Sequence, residues 1–235
     1  MITQATVYAE PWEARNRLAA LGLTEVLLVE AVQVGFSAWA SCTPNHPPSA
    51  PGYFAWAETV RTLRERLTPL GWERVDEANL PLVINQDRTI ALAVSTGSKE
   101  TGMKGGSPCT TYAKGPMTQG LVKVNRQREL FCEQELMRTG GVIKLDPQTL
   151  LFSEEEMMMA PLESPPQRST WILLVFRGAE EVRCELSLPI GMDKDGYVVG
   201  WKERIILPPT GFEPLEPSKK EPTTPEITVE IKKRA

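Results

Sequence analysis

The sequence has a single histidine, His46, and only four cysteines, Cys42, Cys109, Cys132 and Cys184, in 235 residues. A lone histidine removes most of the material for serine–histidine or cysteine–histidine catalysis, which needs an imidazole base beside the nucleophile. His46 also lies in a proline-rich loop, Cys42-Thr-Pro-Asn-His46, where a surface or packing role accounts for it. No two cysteines form a CxxC pair. A zinc site would have to gather Cys42 and His46 with distant Cys109 and Cys132, whereas structural zinc sites bring their ligands in close pairs. The same scatter excludes a disulfide framework and fits reduced thiols. Long apolar runs are missing too. The most apolar stretch, Val26 to Ala40, is broken by Glu30, Gln33 and Ser37, and a membrane span needs about 20 predominantly apolar residues. The N-terminus lacks the basic start and apolar run of a secretory signal. These absences predict a cytoplasmic protein without a membrane segment, and no motif requires a cofactor or a metal.

Hydrophobic residues at 41 % and charged residues at 24 % describe a chain that can bury a core. Residues 11–70 read as helical. Pro11 suits a first helical position and Gly22 a stop. Thr24 caps a second helix over about 25–40, an apolar cylinder with one polar strip (Glu30, Gln33, Ser37) that should be buried on most sides. After the rigid loop 41–51, a third helix over about 52–68 aligns Trp56, Val60, Leu63 and Leu67 on one stripe.

From residue 72 the period changes to that of strands. Leu82–Ile84 and Thr89–Ser95 flank Asn85-Gln-Asp-Arg88 as a hairpin. Further strands are expected at Leu121–Asn125, Val142–Leu145, Trp171–Arg177, Glu181–Pro189 and Val198–Leu207, with turns at Gly178-Ala-Glu and Asp193-Lys-Asp-Gly196. No repeat of fixed period appears. The expectation is one α+β domain over 1–207, helical at 11–70 and mainly strands at 72–207, with its helices packed on a mostly antiparallel sheet. Residues 208–235 read as a proline-rich tail with six prolines between 208 and 225. At its end Ile227, Val229 and Ile231 alternate with polar residues, a short strand able to return to its own sheet or to join a partner's edge.

Four motif readings fail on residue type, spacing or charge. Gly191–Gly196 resembles a calcium loop, but its first and twelfth positions would be Gly191 and Lys202 rather than oxygen donors. In Gly97-Ser-Lys-Glu-Thr-Gly102-Met-Lys104, Met103 intervenes where a phosphate loop needs lysine, and Gly105-Gly-Ser-Pro108 disfavours the helix that should follow. The carboxylates Asp76, Glu77, Asp87, Glu181 and Glu185 are candidates for metal-assisted chemistry, yet no spacing joins two of them. Between Thr24 and Arg61 there is no lysine or arginine, so the helical region offers little to a helix-turn-helix reader. The run Glu154-Glu-Glu-Met157-Met-Met reads as a packed or interacting connection.

The segment 95–128 stands apart. Between 95 and 120 it carries six glycines and eight serines or threonines. Glycines let backbone amides approach an anion, and hydroxyls add neutral donors. From 99 to 128 six bases (Lys99, Lys104, Lys114, Lys123, Arg126, Arg128) face one acid, Glu100, giving +5 on a chain of net −4. Tyr112 is its one aromatic between 95 and 128. The reading is a long mobile basic loop on a non-enzymatic binding or accessory protein, offered to a phosphate-rich or acidic partner such as nucleic acid or a nucleoprotein complex. A carboxylate- or metal-dependent enzyme acting on a phosphorylated or nucleic-acid substrate is the contrasting class. An assembly protein that uses its terminal strand is a third.

Overall fold

The computed structural model describes residues 5–138, 168–178 and 181–211. Strand β1 (Thr6–Tyr8) leads into helices α1 (Pro11–Ala20), α2 (Glu25–Ala40) and α3 (Ala50–Leu67). A 3-10 turn at Thr68–Leu70 is followed by β2 (Glu73–Glu77), β3 (Leu80–Ile84) and β4 (Ile90–Thr96). Helix α4 (Pro116–Arg138) comes next, then β5 (Ser169–Arg177), β6 (Glu181–Met192), β7 (Val198–Ile206) and β8 (Thr210–Gly211). The fold is α+β; α1–α3 lie early in the chain as the sequence predicts, while α4 falls within the region expected to be mainly strands.

Local chemistry explains the three N-terminal helices. Pro11 opens α1, and the chain leaves it through Gly22 at φ 72°, a left-handed conformation that glycine adopts without strain. Thr24 accepts a hydrogen bond from the Leu27 amide at 3.3 Å and starts α2. Pro51 sits in the first turn of α3. Helices α2 and α3 meet at Gly35, where an added Cβ would lie 2.5 Å from the Ala55 carbonyl oxygen, so only glycine permits the approach. Helix α2 is less enclosed than its composition predicts. It buries Leu27, Leu28, Ala31, Val32 and Gly35 on one side and leaves Val26 74 % exposed.

The eight-stranded sheet has the order β1-β7-β6-β5-β4-β3-β2, with β8 pairing with β6 off that path. Two pairings, β1 with β7 and β4 with β5, are parallel, and the others are antiparallel. Alternation along the strands gives two faces. One carries Leu92, Leu173, Val175, Cys184, Leu186 and Ile205, packed on Leu18, Leu28, Leu63 and Leu67 of the helices. On the other, Ile172, Leu174, Val198 and Trp201 pack on Val122 of α4.

The strand expected at Leu121–Asn125 is instead part of α4. Its alternation arises because Val122 and Asn125, one helical turn apart, both face the sheet and are buried. Asn125 Nδ2 donates to the carbonyls of Thr170 (2.8 Å) and Pro189 (2.9 Å), and its Oδ1 accepts from the Thr170 amide (2.9 Å). One side chain thus ties α4 to two strands. The expected strand Val142–Leu145, the methionine run 154–159 and the terminal residues Ile227, Val229 and Ile231 lie outside the described residues.

Candidate functional site

The glycine-rich segment leaves the carboxyl end of β4 and is ordered, contrary to the mobile loop expected. Its two ends meet in a bridge between Gly97 and Thr110. The Ser98 amide donates to the Cys109 carbonyl at 2.8 Å and the Thr111 amide to the Thr96 carbonyl at 2.9 Å. The far side of the loop is pinned to β6 and β7 by a buried ion pair. Glu185 is 0 % exposed and Arg204 3 %. Arg204 Nε donates to Glu185 Oε1 at 3.0 Å and Nη2 to Oε2 at 2.6 Å.

Both partners of this pair reach the loop. Glu185 Oε2 accepts from the Gly102 amide at 2.8 Å, and Oε1 accepts from the Ser187 hydroxyl at 2.7 Å. Arg204 donates onward to the carbonyls of Gly106 (2.6 Å) and Met103 (3.1 Å). Trp201 Nε1 donates to the Pro108 carbonyl at 2.7 Å, and Arg183 donates to the Lys99 carbonyl at 2.7 Å. Gly102 has φ 74°, and a Cβ there would lie 2.9 Å from Arg183 Cβ.

The glycines therefore serve the protein's own contacts. The amides of Gly97, Gly102 and Gly106 are bonded to Val175, Glu185 and Met103, so they are not held open for an anion as the composition predicted. What the loop offers outward is side chains. Lys99 is exposed, and its ammonium makes no ion pair among the described residues. Lys104 is exposed and pairs with Glu10 at 3.0 Å; that hydrogen bond, then the charge of Glu10, raises its pKa. Tyr112 is 67 % exposed.

Lys114 is half-buried against a small cavity that Ser95, Thr118, Val122 and Pro189 also line, and burial lowers its pKa. On α4, Lys123 is exposed, while Arg126 and Arg128 are half-buried and engaged in contacts of their own. Arg177, at the end of β5, is held below the ordinary arginine value by burial, with Tyr112 acting the other way. The structure thus divides the six bases into exposed, paired and half-buried groups rather than one uniform patch.

A second concavity lies between α3 and the β2–β3 hairpin, a groove of about 1030 Å³ lined by Tyr53, Trp56, Arg61, Arg64, Arg74 and Asp76 among others. Arg64 reaches from α3 to Asp76 Oδ1 at 2.6 Å and to the Val75 carbonyl at 3.1 Å. The hairpin turns through Ala78 (φ 45°) and Asn79 (φ 67°). The sequence reading did not find this groove, because its walls are set by the packing of an edge hairpin on a helix.

Apart from Asp87, which is exposed, the residues considered for catalysis are committed elsewhere. His46 is exposed, its Nδ1 accepting from the Thr43 amide at 3.0 Å, and its ring meets Phe54 edge-on. Burial, then the neighbouring Glu185, pushes the Cys184 thiol up to about 12. Asp76 pairs with Arg64, Glu77 with Arg168 and Glu181 with Arg183. Asp193 Oδ1 accepts from the amides of Asp195 (3.0 Å) and Tyr197 (2.8 Å), which builds the expected turn. Among the described residues no three His, Cys, Asp or Glu side chains converge as metal ligands.

No known protein family matches this chain, and neither does any curated protein or solved structure.

Proposed function

We propose that the chain is a binding protein that offers the 97–115 loop and the first turns of α4 to an anionic partner, with nucleic acid or a nucleoprotein complex as the leading class. The reading rests on one observation above the rest: Glu185 and Arg204, both buried, fix the loop backbone from behind. Side chains on a fixed backbone lose less freedom when a ligand binds, so each contact retains more of its free energy. Lys99 and Lys123 are exposed cations, and Tyr112 adds an aromatic ring on which a base can stack. Phosphate contacts of this kind hold a strand without reading its sequence.

The test is fluorescence anisotropy with labelled single- and double-stranded oligonucleotides over a salt series. Binding should weaken steeply with salt, and Lys99→Glu with Lys123→Glu should weaken it by at least about tenfold and flatten the salt slope. An affinity indifferent to both substitutions overturns the reading.

A further inference from the structure

Strand β2 ends the sheet, and among the described residues its only strand neighbour is β3. The hairpin turn Ala78–Asn79 makes Glu77 and Leu80 the innermost bonded pair, so bonding to β3 recurs at Val75 and Glu73. The N–H and C=O groups of Arg74 and Asp76 then point away from β3. Pro81, which has no N–H, stands opposite Asp76 and fits that alternation. Val75 is half-buried and packs with Leu82, Ile84, Ala91 and Ala93 on one face. The side chains of Arg74 and Asp76 line the α3 groove on the other. Arg74 makes no ion pair among the described residues, whereas Asp76 and Glu77 are paired. Among the described residues this is an open edge five residues long, with an apolar side, a polar side and one unmatched cation.

We propose that the chain's own residues Ile227–Ile231 occupy this edge as a further strand, antiparallel to β2. The sequence Ile227-Thr-Val-Glu-Ile231 has the length of β2 and the matching alternation. In the register that pairs Ile227 with Glu77 and Ile231 with Glu73, Val229 falls beside Val75. Ile227 and Ile231 extend that apolar side, and Thr228 and Glu230 join the groove wall. Glu230 then stands opposite Arg74 and supplies the charge it lacks, a cross-strand pair of the kind that fixes register.

The direction of the chain agrees. Gly211 leaves the sheet beside Glu181, at the end where β4 and β5 finish and the Ala78–Asn79 turn lies. A strand entering from that end runs antiparallel to β2. Crossing to the position outside β2 spans six strand spacings, about 29 Å. A stretch of the length of residues 212–226 would span about 46 Å if extended, enough to cover it. The sheet's other end, β1, presents only three residues, Thr6–Tyr8.

The experiment is a charge exchange on the full chain, read by thermal melting, amide hydrogen exchange and light scattering. Glu230→Arg should lower the melting temperature, and adding Arg74→Glu should restore most of the loss. The Arg74 and Asp76 amides should exchange at least about tenfold faster in Thr228→Pro than in the parent chain. Rescue in a monomer supports the proposal. Absence of rescue, with the two amides already unprotected in the parent, overturns it. Rescue seen only in a dimer overturns the intramolecular pairing and assigns the strand to a second copy. These readouts involve no nucleic acid, so their failure is separate from failure of the loop as a binding surface.

Discussion

On the face beneath α1–α3, Leu18, Leu28, Leu63 and Leu67 meet Leu173, Leu186 and Ile205 in an apolar cluster that needs no particular partner for each side chain. On the opposite face, Glu185, Arg204 and Asn125 each satisfy several named groups, and the loop and α4 are attached through them. Apolar contact is graded and tolerates repacking, while a buried charge that loses its partner has no substitute. Both faces therefore contribute to stability, the first through many interchangeable contacts and the second through few specific ones. The second sets where the candidate binding surface lies.

The largest effect expected is at Glu185. Glu185→Ala strands the Arg204 guanidinium and should cost about 3–5 kcal/mol in urea denaturation. Under native conditions the same variant should become cleavable by trypsin after Lys99 and Lys104. Leu28→Ala, at about 2–5 kcal/mol, should lower stability by a similar amount without exposing the loop. Equal trypsin sensitivity in the two variants would erase the distinction between the faces.

Asn125→Ala should follow at about 1–3 kcal/mol, the cost of leaving the Thr170 amide and two carbonyls without their partner. Circular dichroism should show the sheet intact while α4 exchanges its amides faster.

The last effect is absent at neutral pH and emerges only at alkaline pH. The Cys184 thiol has a folded pKa of about 12 against an ordinary 9.0, so above pH 9 the unfolded chain loses its proton first. The unfolded state then binds fewer protons, and stability falls as pH rises from 9 toward 12. Lys114 acts in the opposite sense. Its folded pKa is lowered by burial, so the cost of holding the charged amine fades as pH rises through that value toward 10.5. Melting curves of Cys184→Ala should fall less steeply above pH 9 than those of the parent chain. An unchanged slope would remove Cys184 from the account.

The three N-terminal helices were legible because their signals are local: Pro11, Gly22 and Thr24 act within one turn of where they stand. The hairpin at Asn85 was legible for the same reason, Asn85 Oδ1 accepting from the amides of Thr89 and Ile90 at 2.9 Å. Strand β2, Glu-Arg-Val-Asp-Glu, carries almost no strand signal because an edge exposes most of its side chains. Composition set the Gly-rich segment apart, but not the use of its glycines. That depends on Glu185 and Arg204, which lie some 80 to 100 residues further along and meet only once β6 and β7 have paired. Glu185 stood among the candidate acids, and nothing nearby in sequence shows that its carboxylate is already taken.

Strand β1 pairs with β7, Thr6 beside Glu203 and Tyr8 beside Ile205, and Arg17 of α1 bonds Glu203 at 2.6 Å. During synthesis, β1 must wait for β7, which is made nearly two hundred residues later. The apolar helices α1–α3 emerge long before most of the sheet that covers them exists, and a contact spanning nearly the whole chain is slow to form. A nascent chain halted before β7 would carry an exposed apolar layer, a surface prone to aggregation until the remaining strands arrive.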